Sequence, residues 1–153
     1  MIIPTWQRIV GLLFYLIPWS DSLPFGRNLF LQFPLLQWLQ LPAIPIILIE
    51  RILPFGGLLL FLGIFFGIVR NPNAPQYLKF NALQALLLDI LLILISYGNQ
   101  IILAPFGQNL VIRTFSSTIL VTILTIVIFA GIECAKGNEP DIPGISQAVR
   151  MQI

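Results

Sequence analysis

Residues 114–132 read TFSSTILVTILTIVIFAGI, an uncharged run closed by Arg113 on one side and Glu133 on the other. A helix needs about 20 mostly apolar residues to cross a bilayer. Two further stretches meet that demand. Ile52–Val69 is uncharged and ends at Arg70, and Phe80–Leu103 carries one charge, Asp89. Composition points the same way: 58% of the 153 residues are hydrophobic and only 9% are charged. An average soluble domain carries roughly a quarter charged residues, so a soluble fold of this size could not cover its surface with polar groups. The expected class is an all-α integral membrane protein.

The N-terminal run Ile9–Trp19 is short, with Arg8 before it and Trp6 and Trp19 at its ends, where interfacial anchors are common. A signal peptide is the competing reading. No small-residue cleavage site follows, since the chain continues Ser20-Asp21-Ser22-Leu23-Pro24. A retained first helix is therefore expected. Residues 29–49, LFLQFPLLQWLQLPAIPIILI, are apolar but hold Gln32, Gln37, Gln40, Pro34, Pro42 and Pro45. Each interior proline removes a backbone hydrogen bond that lipid cannot replace. An interfacial or re-entrant segment, with a short helix near Leu35–Leu41, is expected there; a fifth, broken pass is the alternative. The expectation is thus a single membrane domain over 1–153. Its four transmembrane helices fall near 6–20, 52–69, 80–103 and 114–133, with a short tail over 134–153.

Four passes put Arg8, Arg70, Lys79, Lys136 and Arg150 on one side and Arg27, Arg51 and Arg113 on the other. The positive-inside rule then places both termini on the cytoplasmic side, or the stromal side in a plastid.

Successive helical residues turn by about 100°. On the helix from Phe80, residues Asn81, Ala85, Asp89, Ser96, Asn99 and Gln100 share one arc, and Gln84 lies just outside it. A charged residue in a membrane helix usually faces the bundle interior or a wet cavity. Asn81, Gln84, Asp89 and Ser96 are therefore candidates for lining a path or docking a partner; polar glue between helices is the plain structural reading. Gly56, Gly63 and Gly67 share a narrow face, with Gly63-x-x-x-Gly67 allowing close helix approach. Thr118 and Thr125 align with Thr114 and Thr122 and are further packing candidates. Arg70-Asn71-Pro72 opens a tight connection that ends the second helix, because a residue before proline is pushed out of the helical region.

Catalysis finds little support. The chain has no His and a single Cys134, which excludes an internal disulfide. An intramembrane aspartyl protease needs two carboxylates at one site, and Asp89 has no second aspartate within an apolar span. Ser116 and Ser117 have no lysine nearby for a Ser–Lys pair. There is no phosphate loop, metal cluster or haem motif, so no cofactor is expected. A net charge of +2 with scattered basic residues leaves no nucleic-acid footprint. No enzyme is expected.

The run Arg70-Asn71-Pro72, Tyr77, Lys79-Phe80-Asn81, Gln84-Ala85 and Leu88-Asp89-Ile90 resembles the signature of the twenty-kilodalton Tic subunit family. That family is the membrane core of the translocon at the inner envelope of chloroplasts and has cyanobacterial relatives. Arg8-Ile9, the Trp19–Gly26 turn, the Gln- and Pro-rich stretch and the closing Met151-Gln152-Ile153 resemble it too. The resemblance implies four membrane helices with both termini stromal or cytoplasmic. It also implies a role in moving preproteins across the plastid inner envelope, or a related cyanobacterial membrane role. Arg70, Asn71, Pro72, Lys79 and Phe80 form the family-motif loop. No Ser- and Arg-rich leader is seen, so a plastid-encoded or cyanobacterial member is expected. The implied partners are the lipid bilayer, other translocon subunits or a second copy, and a translocating polypeptide. A non-conducting assembly protein and a small-solute carrier remain as alternatives, the latter without the inverted repeat that carriers commonly use.

Overall fold

The computed structural model describes residues 3–107 and 110–152. Every regular element among them is helical. Four helical runs are long and apolar enough to cross a membrane: Thr5–Gln32, Pro34–Ile52, Gln76–Ile102 and Leu110–Lys136. Gly56–Val69 is a shorter apolar helix. The chain is an all-α integral membrane protein.

The first run is one continuous helical rod longer than the expected 6–20. Helix α1 (Thr5–Phe14) follows Pro4, α2 (Leu16–Ser22) continues past Tyr15, a 3-10 turn covers Leu23–Gly26, and α3 spans Arg27–Gln32. The stretch Trp19–Gly26, expected as a turn, is helical. Pro24 sits at the start of the 3-10 turn, where its missing N–H breaks no helical bond. A Cβ on Gly26 would collide with the Leu120 side chain, so this glycine lets the turn press onto α7 (Leu110–Lys136).

Residues 34–43 form a long 3-10 helix, which leads into α4 (Ile44–Ile52). The Trp19 indole Nε1 donates to the Leu39 carbonyl at 2.7 Å, tying this segment to α2. The run from Pro34 to Ile52 is otherwise peripheral, with 11% of its most apolar window buried.

The helix expected over 52–69 starts at Gly56. Pro54 forces Leu53 to an extended conformation (φ −94°, ψ 134°), and Phe55 is left-handed at φ 55°. Helix α5 (Gly56–Ile64) then runs on through a π turn, Phe65–Val69, where the Arg70 amide donates to Phe65 O at 2.9 Å. Fourteen residues at a rise of roughly 1.5 Å reach about 21 Å, short of a bilayer core.

Helix α6 (Gln76–Gly98), extended by a π turn over Asn99–Leu103, is the centre of the fold. From Tyr77 to Leu86 nearly every side chain is buried, Lys79 being half-buried. Helices α1 and α2, the Ile145–Gln152 helix and the π turn after α5 pack against it, while α7 packs chiefly on the first rod and meets α6 through side chains near Cys134. Further along, Ile90, Leu91, Ile93 and Leu94 are exposed; Leu91 and Leu94 offer a face to lipid, while Ile90 and Ile93 border a cavity. Helix α8 (Ile145–Gln152) buries Val149 and Ser146. The region expected as a plain tail is thus partly a packed helix, introduced by Gly144 at φ 80°.

Candidate functional site

The expected polar stripe of α6 divides into two unlike parts. Its first part is sealed. Asn81 and Gln84 are fully buried. The Tyr15 hydroxyl donates to Asn81 Oδ1 at 3.0 Å, and the Cys134 thiol donates to the same oxygen at 3.1 Å. Asn81 Nδ2 donates to the Tyr77 carbonyl at 2.9 Å. Gln84 Nε2 donates to Tyr15 Oη and to the Pro140 carbonyl, each at 3.0 Å. The Ser146 hydroxyl donates to Gln84 Oε1 and accepts the Ile142 amide at 2.7 Å. The Tyr77 hydroxyl reaches the carbonyls of Cys134 and Asn138, each at 3.2 Å.

This network joins the first rod, α6, α7 and the 140–146 segment. A buried polar group left unpaired costs about 1–3 kcal/mol, so the satisfied set fixes where the C-terminal segment sits. Asn81 and Gln84 use their amides inside this network, and neither lines the two cavities further along α6.

The second part of the stripe is open. Asp89 and Ser96 line a cavity of about 510 Å³, which also has Asp21 from α2 and Glu50 from α4 on its walls. A second cavity of about 510 Å³ shares Asp21 and Ser96 and continues past Asn99 and Gln100 to Arg27, Arg113 and Ser116. The two cavities follow one another along α6 from Asp89 to the helix end, the first walled chiefly by apolar side chains and the second chiefly by polar ones. Asp89 is 5% exposed; its carboxyl lies within hydrogen-bonding reach of the Asp21 carboxyl, and its Oδ1 finds no other donor. Among the described residues no three His, Cys, Asp or Glu sit together so as to hold a metal ion.

The family-motif loop is built by local bonds. Asn71 Oδ1 accepts the Asn73 amide at 2.9 Å, and its Nδ2 donates to Gly67 O at 3.2 Å. Such side-chain-mimicked turns suit Asn. Pro72 lies exposed in this turn. Arg70 and Lys79 line a cavity of about 490 Å³ beside Gln152 of α8. Phe80 is buried, with the Arg150 guanidinium 5.1 Å from its ring centroid.

The packing candidates also part company. A Cβ on Gly56 would lie 2.5 Å from Glu50 Cα, so α5 leaves α4 by a backbone approach that only glycine allows. Among the described residues, a Cβ on Gly63 or Gly67 would meet no atom within 4 Å beyond its own helical turn. Thr118 and Thr125 donate to Thr114 O and Val121 O of their own helix, each at 2.7 Å.

Reading the sequence by itself missed four residues. Tyr15 and Ser146 complete the sealed network; an amphipathic Ile145–Val149 pattern after Pro143-Gly144 was the available signal for the latter. Asp21 and Glu50 line the cavity; Asp21 falls in the expected Trp19–Gly26 turn, and Glu50 in the short link between the 29–49 segment and the helix expected from 52.

The profile of the family described as "Chloroplast import apparatus Tic20-like" matches residues 3–149. A "Tic20 family protein" of Synechocystis sp. is 35% identical over 148 residues, 96% of this chain and 92% of that one. "Protein TIC 20-v, chloroplastic" of Arabidopsis thaliana is 31% identical over 148 residues, 96% of this chain and 71% of that one. "Protein TIC 20-II, chloroplastic" of the same plant is 30% identical over 155 residues, 98% of this chain and 74% of that one. With a family match across nearly its whole length and relatives whose similarity spans nearly all of it, the chain belongs to the Tic20 family.

Proposed function

We propose that this chain is a non-enzymatic, membrane-embedded subunit of a protein translocase, acting in a plastid inner envelope or a related cyanobacterial membrane. The family description names a chloroplast import apparatus, and two relatives are named chloroplastic. The observation that carries the reading is the polar stripe from Asp89 through Ser96 to Gln100, set in a helix whose other face is leucine and isoleucine. Asp89 and Ser96 line the path, while Asn81 and Gln84 brace it. Each cavity is too small to pass a polypeptide, so a conducting form uses further subunits or a second copy. The bare Gly63–Gly67 face supports such an association. Pro34–Ala43, with Trp38 exposed, suits the interfacial segment expected there. With Gly56–Val69 crossing as a short pass that a locally thinned bilayer accommodates, the four crossings put both termini on the stromal or cytoplasmic side.

The test places benzoylphenylalanine at Ser96, Asn99 and the lipid-facing Ile128 in proteoliposomes holding an arrested precursor. Adducts are expected from Ser96 and Asn99 and not from Ile128. An absence of precursor adducts at both stripe positions refutes the lining role.

A further inference from the structure

Asp89 sits thirteen residues from either end of the Gln76–Ile102 run. At helical rise, that is about 20 Å from each end, so a crossing helix carries it near the bilayer centre. A charge at that depth costs several kcal/mol unless it is paired. Asp89 Oδ1 is buried without a basic or amide donor, and the side chain that reaches the Asp89 carboxyl is another acid, Asp21. The cavity it lines is walled chiefly by apolar side chains, among them Ile17, Leu58 and Phe61, and by two more carboxyls, Asp21 and Glu50. Each of the three acids lies within electrostatic reach of the others. No lysine or arginine lines this cavity; Arg27 and Arg113 belong to the next one, beyond Ser96.

Three acids from three helices therefore face an apolar-walled space that brings no positive charge to meet them. They are not gathered as a metal chelate. The chemistry that fits is a cation on an apolar stem. Lysine and arginine bury their methylenes and keep the charged head in a polar setting. A charge-assisted hydrogen bond to a carboxylate is roughly twice as strong as a neutral one.

We propose that this cavity seats a lysine or arginine side chain of a second polypeptide, its stem against Ile17, Leu58 and Phe61 and its head donating to Asp89 Oδ1. The site rests on the translocase reading only for which polypeptide supplies the cation; its preference for a cation stands apart from transport.

The test uses the full chain in proteoliposomes with benzoylphenylalanine at Leu58. The probe is a short neutral peptide carrying one lysine, and its control carries norleucine instead. The lysine peptide is expected to cross-link about tenfold more, given the energy of a desolvated charge pair. Asp89→Asn and Asp21→Asn should each bring capture towards the norleucine level while leaving the circular-dichroism melting midpoint in place. If Asp89→Asn fails to fold, Asp21→Asn carries the test. n-Butylammonium should compete, and equimolar sodium should not. Equal capture of the two peptides, capture indifferent to the carboxyl variants, or sodium competing as well as butylammonium overturns the proposal. Lysine capture retained while Ser96 and Asn99 yield no precursor adduct supports the cation site and refutes only the translocase reading.

Discussion

Ser146 donates its hydroxyl proton to Gln84 Oε1 across 62 positions of sequence, fixing the C-terminal segment to the central helix. Both residues are fully buried, and Gln84 Nε2 is already used by Tyr15 and Pro140. Ser146→Ala would leave the Gln84 oxygen and the Ile142 amide without this partner. Gln84→Ala and Ser146→Ala are each expected to cost about 1–3 kcal/mol. A double-mutant cycle should return a coupling of about 1 kcal/mol. Gln147→Ala, on the exposed side of the same helix, is the control and should change little. The measurement is denaturant-driven unfolding in detergent followed by circular dichroism; additive single effects would contradict a direct bond.

The glycine face offers a sharper contrast. Gly56→Ala would set a methyl 2.5 Å from Glu50 Cα and 2.8 Å from its carbonyl oxygen, atoms that cannot rotate away. Overpacking of this kind typically costs about 1–3 kcal/mol. Among the described residues, Gly63→Ala and Gly67→Ala meet nothing beyond their own helical turn. They should stabilise the monomer by about 0.5–1 kcal/mol, because alanine is the better helix former. If that face seats another helix, Gly63→Leu should at the same time reduce dimer yield in chemical cross-linking. Unchanged yield would remove the face from any association seam.

Thr118 and Thr125 spend their hydroxyls on their own helix. Thr118→Val and Thr125→Val keep the shape and remove a bond that the helix does not depend on. Both should stay within about 0.5 kcal/mol of the parent in the same unfolding measurement. A larger loss would mean that the hydroxyls serve an interface outside this chain.

The all-helical class was plain in the sequence because long uncharged runs admit little else in lipid. The stripe on α6 was visible as periodicity, but its division was not. Whether an amide is sealed depends on what arrives from elsewhere in the chain: Tyr15 from the first rod and Ser146 from the last helix. The start of α5 was misplaced by four residues because hydropathy runs unbroken through Leu53-Pro54-Phe55, whereas Pro54 acts on the backbone alone. Asp21 escaped notice because prolines, a glycine and serines around it imitate a turn. Proline at the start of a 3-10 turn breaks nothing, and the rod continues to Gln32.

Topology yields to labelling. Gln37, in the 3-10 segment, and Gln147, on α8, are both exposed, so a cysteine at either position disturbs no packed contact. Cys134 is buried and should stay silent in the native background. If the segment after the first rod lies on the face opposite the C-terminus, a membrane-impermeant maleimide added to sealed vesicles should label Gln37→Cys and Gln147→Cys from opposite sides. Labelling both from one side would contradict that arrangement, since it requires an even number of crossings between the two positions. The same vesicles opened with detergent should label both, which controls for local shielding by α2 through the Trp19–Leu39 bond.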